Sequence, residues 1–456
     1  MLLVEHTQDI AAAAAALMPQ LKDDLMRLVR IPSIAAQGFA PEPLLAAHDL
    51  VVELLAASGV TQIGELRLEG KTAPVITAEI PGPPGSPTVL MYMHYDVVPA
   101  GDETLWLSPP FEPVERDGAI YGRGAADSKA NIAAILGALR VWQGRPPVTL
   151  RLVIEGQEEV GSPFDFLPLT EPEHFAADAV IVADAGNVRP GVPTLTVGLR
   201  GDAAITVRAA TLQTDKHSGQ YGGAAPDALL ALIRALGTLH DDKGDVAVAG
   251  LRREPWTGAT FTEAEFRRLA EVRPDTPLMG TGTLGERIWS GPAITVTGLD
   301  APPVDRAVAA VRAEARARLN VRVHPKQAAQ EAQDAVVRHL EAQHPFGVEL
   351  TVGRGDVGNG CAPATDGPAY AAARAALRTA WGAEPLDMAT GGAIPLVSSL
   401  AQGVPGAELL LFGATDSYAN IHGPNERVLL DELQKTVVAL AAFLNEYASR
   451  WEGTPR

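Results

Sequence analysis

Three short segments, TVLMYMHYD (88–96), TLRLVIEG (149–156) and DAVIVAD (178–184), are apolar along their length rather than at alternate positions. A strand of that kind is buried on both faces, which a sheet achieves when helices cover it above and below. Between the first two lies KANIAAILGALRVW (129–142), whose apolar residues recur at helical spacing. Alternation of strand, helix and strand predicts an α/β layer with a mostly parallel sheet flanked by helices. At 456 residues, 46% of them apolar, the chain can build two domains or one domain carrying an insertion.

The pattern changes after NVRPGVPT (187–194), a Pro/Gly-rich stretch suited to a hinge. A long strand pattern, LTVGLRGDAAITVRAA, is followed by the helix PDALLALIRALGTLH and the strands AITVTGL and ARLNVRVHP. A helix over 327–342 and the strand VELTVG come next. That order predicts an inserted α+β module of βαββαβ type. A second Gly/Pro-rich stretch, GRGDVGNGCAPATDGP, marks the return. The expected division is therefore an α/β domain from 1–193 and 356–456, interrupted by a smaller domain over 194–355. Residues 242–290 are polar and irregular, and no element is predicted there.

The formal net charge of −18, with no Lys/Arg block to interrupt it, argues against nucleic acid or an anionic membrane as the main partner. The single cysteine, Cys361, excludes an intrachain disulfide. The run AAAAAALM near the start is preceded by Glu5 and Asp9, not by Lys or Arg, so it predicts an amphipathic helix to about Val29 rather than a signal peptide. No run of uncharged apolar residues approaches the length of a membrane span. A soluble, cytoplasmic protein is expected.

The ionisable residues that end the strands, or lie just beyond them, carry the chemistry. MHYD supplies His94 and Asp96, GRGAADSK supplies Asp127, GQEE supplies Glu158 and Glu159, VADAG supplies Asp184 and NIHGPNE supplies His422. In open α/β sheets, ligands bind beyond the carboxyl ends of the strands. Two imidazoles among several carboxylates have the composition of a divalent-metal site, favouring Zn, Co, Ni or Mn over Ca or Mg. His94 and Asp96, two residues apart, face the same side of an extended strand, so Asp96 can accept the free ring N–H of His94. Glu158 and Glu159 repel one another and resist leaving water, so a positive charge is expected beside them. On an extended chain they point apart, which lets one bind metal while the other handles protons. Each piece has a plainer reading: a structural His–Asp pair, a solvated Glu-Glu, Asp127 as the N-cap of a helix at Ser128. Five such features, each at a strand end, favour the site.

The motifs MHYDVVP, YGRGAADSKAN, GQEEVGS, VADAG, KHSGQYGG, VRVHP, GGAIP and HGPNE span nearly the whole chain. Together they resemble the co-catalytic zinc peptidases and amidohydrolases. That family includes carnosinase-type dipeptidases, glutamate carboxypeptidase, aminoacylase, acetylornithine deacetylase and succinyl-diaminopimelate desuccinylase. The resemblance implies a catalytic α/β domain with an inserted lid that dimerises, hence a homodimer. It implies two divalent ions per subunit, zinc first and manganese or cobalt as alternatives. Asp127 would bridge them, with His94 and Asp184 completing one site and Glu159 and His422 the other. Glu158 would be the general base, drawing a proton from a bridging water, and Asp96 would buttress His94. His217 in KHSGQYGG would stabilise the oxyanion of the neighbouring subunit, and Arg322 in VRVHP would pair with the substrate's terminal carboxylate. Gly391 and Gly392 in GGAIP would let backbone approach the substrate. Ala393 stands where many relatives carry Ser.

The length and the 242–290 segment ending in GERIWSGP look like the dipeptidases, which implies hydrolysis of dipeptides or release of a C-terminal residue. An N-acyl-amino-acid amidohydrolase with the same metal centre is the alternative. A non-catalytic binding protein would be expected to have lost Glu158 or a ligand, and none is missing.

Overall fold

The computed structural model describes residues 7–68, 73–392 and 395–453. The chain forms two compact units, one of residues 1–197, 363–388 and 395–456 and one of residues 198–362 and 389–394.

In the first unit the three doubly apolar segments form strands Thr88–His94, Thr149–Glu155 and Ala179–Val182, and Leu90, Met91, Ile154 and Ile181 are sealed from solvent. They belong to an eight-stranded sheet. Its order is Gln62–Leu66, Val75–Ile80, Thr149–Glu155, Thr88–His94, Ala179–Val182, Glu408–Leu411, Thr194–Leu199, Leu386–Thr390. The four strands from Thr149–Glu155 to Glu408–Leu411 run parallel. The first two strands are antiparallel, as is Thr194–Leu199 against Glu408–Leu411. Parallel strands need helical crossovers, and burial on both faces follows from them.

Helices Thr7–Val29, Lys129–Val141 and Leu430–Arg450 pack on one another. Gly137 permits their close approach: a Cβ there would lie 2.7 Å from Val437 Cγ2 and 2.9 Å from Leu21 Cδ1. The helix at Lys129–Val141 is almost wholly buried, and each buried Leu or Ile contributes ~1.5–3 kcal/mol relative to exposure. Among the described residues no helix is long and apolar enough to cross a membrane.

The second unit holds a four-stranded antiparallel sheet, ordered Ala293–Leu299, Glu314–Val323, Gly201–Ala210, Leu350–Gly358. Helices Ala228–Leu236 and Ala329–Glu341 pack against it, giving the expected βαββαβ order. Burial alternates strictly along Gly201–Ala210 and Glu314–Val323, so one face meets the helices and the other does not.

Two expectations change. The long strand over 195–210 is two strands, Thr194–Leu199 in the large sheet and Gly201–Ala210 in the small one. The break falls at Arg200, where Leu199 exchanges two backbone hydrogen bonds with Cys361 and Arg200 N–H donates to the Thr390 carbonyl. Gly201 then passes so near the backbone of Gly358 and Gly360 that a Cβ would lie 2.7 Å from each. Residues 242–290, given no element from sequence, contain the short helices Glu263–Leu269 and Leu284–Ile288. Each starts at a capping box, Thr262 with Glu265 and Thr283 with Glu286, a signal legible in the sequence as T-x-x-E.

Candidate metal centre

The first unit delivers its polar residues at the carboxyl ends of the parallel strands. Thr88–His94 ends on His94 itself, Thr149–Glu155 leads into a 3₁₀ turn at Glu158–Val160, and Ala179–Val182 leads to Asp184. Asp127 directly precedes Ser128, the N-cap of the helix Lys129–Val141, and the Asp127–Ser128 peptide is cis. His422 comes from a loop in which Asn420, His422 and Asn425 all have positive φ. That loop is pinned by Asn425, which accepts from Leu107 N–H and donates to the Leu105 carbonyl.

The two oxygens of Asp127 are divided between the two imidazoles. Its Oδ1 lies 3.0 Å from His94 Nε2, and its Oδ2 lies 3.2 Å from His422 Nε2. His94 Nε2 is also 3.5 Å from Asp184 Oδ1, and His422 Nε2 is 3.1 Å from Glu159 Oε2. Donors bound tetrahedrally to zinc at ~2.0–2.1 Å stand roughly 3.3 Å apart, so these spacings suit one cation on each side of Asp127. The donor set therefore fits divalent-cation binding. Ligand atoms of His94, Asp127 and Glu159 lie within 4.8 Å of one another, and so do those of His94, Glu158 and Asp184. Glu158 thus sits on the His94 side, with its own carboxylate making no hydrogen bond among the described residues.

Asp96 is fully buried, and its role is wider than the strand pattern suggested. The strand ends at His94, and Asp96 lies two residues on, just beyond it, where it meets the His94 ring as expected. His94 Nδ1 lies 3.3 Å from Asp96 Oδ1 and 3.2 Å from the Asp96 carbonyl. The two Asp96 oxygens also accept the backbone N–H groups of Glu158 and Glu159, at 3.2 and 3.1 Å. One carboxylate therefore orients the histidine and the Glu-Glu turn together. The separation of Glu158 from Glu159 comes from the 3₁₀ turn and not from an extended chain.

Charge crowding sets the protonation of the metal-free centre. Burial opposes a charged His94, but hydrogen bonds to Asp127, Asp184 and Asp96 raise its pKa well above the ordinary value. Hydrogen bonds to Asp127 and Glu159 push His422 up to about 10. Burial works to raise Asp127, yet its contacts with His422 and His94 pull it below the usual carboxylate range. Burial, with the charges of Asp184, Glu159 and Asp96 against a lowering by His94, pushes Glu158 up to about 8. Without metal the histidine protons act as the counter-charge; bound cations would displace them.

One residue that the strand-end argument missed is Glu426. Its buried carboxylate accepts four hydrogen bonds: from Arg123 Nη1 at 2.7 Å, Gly124 N at 2.9 Å, Ala126 N at 2.9 Å and Asp127 N at 3.0 Å. It fixes the loop that aims Asp127. Arg123 is equally buried and also donates to the Gly423 carbonyl, beside His422. The available signal was an arginine inside the apolar GAIYGRGAA together with an acid closing HGPNE.

The remaining sequence candidates lie in the second unit. His217 is exposed, on a two-residue strand paired with Ala310–Val311. Arg322 stands on Glu314–Val323, opposite Asp202 on one side and Ala293 on the other. Gly391 is partly buried and Gly392 exposed. Ala393 lies outside the described residues.

A sequence model described as peptidase family M20/M25/M40 matches residues 90–446. The chain is 40% identical over 370 residues to a cysteinylglycine-S-conjugate dipeptidase of Corynebacterium striatum, covering 79% of this chain and 81% of that one. It is 27% identical over 441 residues to a Beta-Ala-His dipeptidase of Rattus norvegicus, covering 90% and 85%. Among solved structures, the dipeptidase Dug1p from Saccharomyces cerevisiae superposes with a TM-score of 0.78 at 22% identity, covering 98% of this chain and 99% of that one, which establishes a shared fold.

Proposed function

We propose that this chain, which belongs to peptidase family M20/M25/M40, is a dinuclear metallodipeptidase that cleaves an amide next to a free carboxylate. The observation that carries this reading is the division of the Asp127 carboxylate between His94 and His422, with Glu158 beside the His94 half. His94, Asp127 and Asp184 would hold one ion, and Asp127, Glu159 and His422 the other, zinc first. Bound there, divalent cations make a water acidic near neutral pH and polarise the scissile carbonyl. Glu158 would take the proton of the attacking water on its carboxylate as the water oxygen bonds to the carbonyl carbon, and would pass it to the amine nitrogen as the C–N bond breaks. Asp96 holds His94 through Nδ1, which leaves Nε2 directed at the carboxylates. The adjacent Glu158 and Glu159 are tolerated because cations would offset their charge.

In the second unit we assign His217 to oxyanion stabilisation across a homodimer, Arg322 to the substrate's terminal carboxylate, and Gly391 and Gly392 to close backbone approach. Relatives named as dipeptidases support the substrate class.

The test is hydrolysis of Ala-Xaa dipeptides and N-acetyl amino acids by metal-stripped protein, before and after adding Zn²⁺. Metal-restored dipeptide cleavage supports the reading. Activity on N-acetyl amino acids alone would reassign the protein as a deacylase, and no activity on either would reject hydrolysis. For His217, inactive His217→Ala and Glu158→Ala proteins are mixed. Partial recovery in verified hybrid dimers is expected, and its absence would reject action across the dimer.

A further inference from the structure

Glu426 holds the Asp127 loop from one side, and a second set of contacts reaches it from the end of the first helix. Lys129, two residues beyond Asp127, is sealed from solvent, a placement lysine seldom takes without a carboxylate partner. Among the described residues it pairs with no acid. Its Nζ donates instead to the Leu28 carbonyl at 2.9 Å and to the Ile31 carbonyl at 2.8 Å, 101 and 98 residues away in sequence. Both carbonyls lie at the C-terminal end of helix Thr7–Val29, where backbone oxygens run out of helical donors.

The same segment grips the other metal-bearing loop. Ser33, also sealed, donates its hydroxyl to the Tyr95 carbonyl at 2.7 Å and accepts Val97 N–H on its own carbonyl at 2.9 Å. Tyr95 stands between His94 and Asp96, and Ile34 pairs with Val97 as a parallel bridge. Within the segment Ile31 N–H donates to Leu28, Ser33 N–H to Ile31 and Ile34 N–H to Pro32, whose ring fixes its own φ. The two loops also abut. Gly124 has φ +81°, and a Cβ there would lie 2.5 Å from Val97 Cγ1 and 3.2 Å from Lys129 Cδ. Lys129 N–H closes the Asp127 loop onto the Gly124 carbonyl at 3.2 Å. None of these hydrogen bonds uses a ligand atom of the centre, so whatever they do for metal is done through position.

We propose that residues 28–34 are a strap that sets the spacing between His94 and Asp127, with Lys129 and Ser33 as positioning residues for metal binding. This rests on the reading of His94 and Asp127 as metal ligands. Lys129→Met keeps the aliphatic stem but releases Leu28 and Ile31, which frees the Asp127 loop to shift while His94 stays on its strand. Ser33→Ala loosens the His94–Asp96 turn by one hydrogen bond.

Zinc affinity of the metal-stripped full-length protein is measured by competition with a chromophoric chelator, and Tm of the metal-free protein by thermal melts. Wild type, Lys129→Met, Ser33→Ala and Arg140→Met are compared. Arg140 is the control, because it joins the same two helices through Asp24 at 2.6 Å, about three turns further along helix Lys129–Val141. Lys129→Met is expected to lower zinc affinity about 10–100-fold, the range for residues that orient metal ligands, and Ser33→Ala to lower it less. Arg140→Met is expected to lower Tm and to leave zinc affinity within twofold of wild type. Unchanged affinity in Lys129→Met, or an equal loss in Arg140→Met, would show a merely structural lysine and overturn the proposal. Should Lys129→Met fail to fold, Ser33→Ala decides by the same comparison with Arg140→Met. Wild type that binds no zinc would reject the metal-centre reading, and the strap with it. No substrate is present, so the outcome stands whether or not the protein cleaves peptides.

Discussion

Replacing Glu426 by Gln removes one charge and little volume, yet the geometry makes it severe. Oε2 accepts from Arg123 Nη1 and Gly124 N, and Oε1 accepts from Ala126 N and Asp127 N. An amide has one oxygen, so in either orientation its NH₂ faces two donors. Two hydrogen bonds to a charged acceptor are lost, at ~1.5–3 kcal/mol each. In one orientation Arg123 also faces the amide NH₂, and breaking a buried ion pair costs about 3–5 kcal/mol. The two routes agree on a loss near 4 kcal/mol, which for a unit of this size lowers Tm by roughly 8 °C. The same N–H groups hold the Asp127 loop, so zinc affinity should fall about 10–100-fold, the range for residues that orient metal ligands. Thermal melts of the metal-free proteins and competition with a chromophoric chelator measure the two effects separately. A Tm within 2 °C of wild type and zinc affinity within twofold would refute the clamp.

Glu158→Ala should lower kcat by ~10²–10⁴ while both metal ions stay bound; parallel loss of metal, read by elemental analysis, would make it a ligand instead. Asp245 is held at about 2 by hydrogen bonds from the Thr281 hydroxyl and N–H, aided by Arg253. A depressed folded pKa adds stability that is full above the unfolded value and lost as pH falls through the folded one. With solvent screening at this surface position, Asp245→Asn should therefore cost about 1 kcal/mol at pH 7, with the difference from wild type narrowing between pH 4 and 2; a constant gap in melting temperature would contradict this. Burial pushes the Cys361 thiol up to about 11, so at pH 8 a disulfide reagent should modify the native protein at least 100-fold more slowly than the unfolded chain. Comparable rates would place Cys361 at the surface.

What the sequence made legible follows from the range of the interactions involved. Runs apolar on both faces identify central strands without any partner being known, and the residues just beyond them can be selected by position alone. His94, Glu158, Glu159 and Asp184 lie together for that reason, whereas Asp127, just before a helix, and His422, in a loop, were picked out by residue type and motif. Reasoning about local conformation did less well for the Glu-Glu pair, because extended-chain geometry was carried into a 3₁₀ turn, where hydrogen bonds to Asp96 arrange both residues. The Glu426–Arg123 clamp joins residues 303 apart in sequence, and no local periodicity reports such a pairing. Arg200 was hidden within an alternating pattern that runs unbroken across two different sheets. The capping boxes at Thr262 and Thr283 were legible but lay in a segment whose polarity resembled a loop.

Counting bound zinc by elemental analysis, after metal-stripped protein is titrated with Zn²⁺ and free ion removed, tests the shared centre most directly. Two ions per wild-type chain are expected, with Ala-Gly hydrolysis rising as the sites fill, one ion for Asp184→Ala, and neither retained by Asp127→Ala. A single ion in wild type, or two ions retained by Asp127→Ala, would contradict a site divided across that carboxylate.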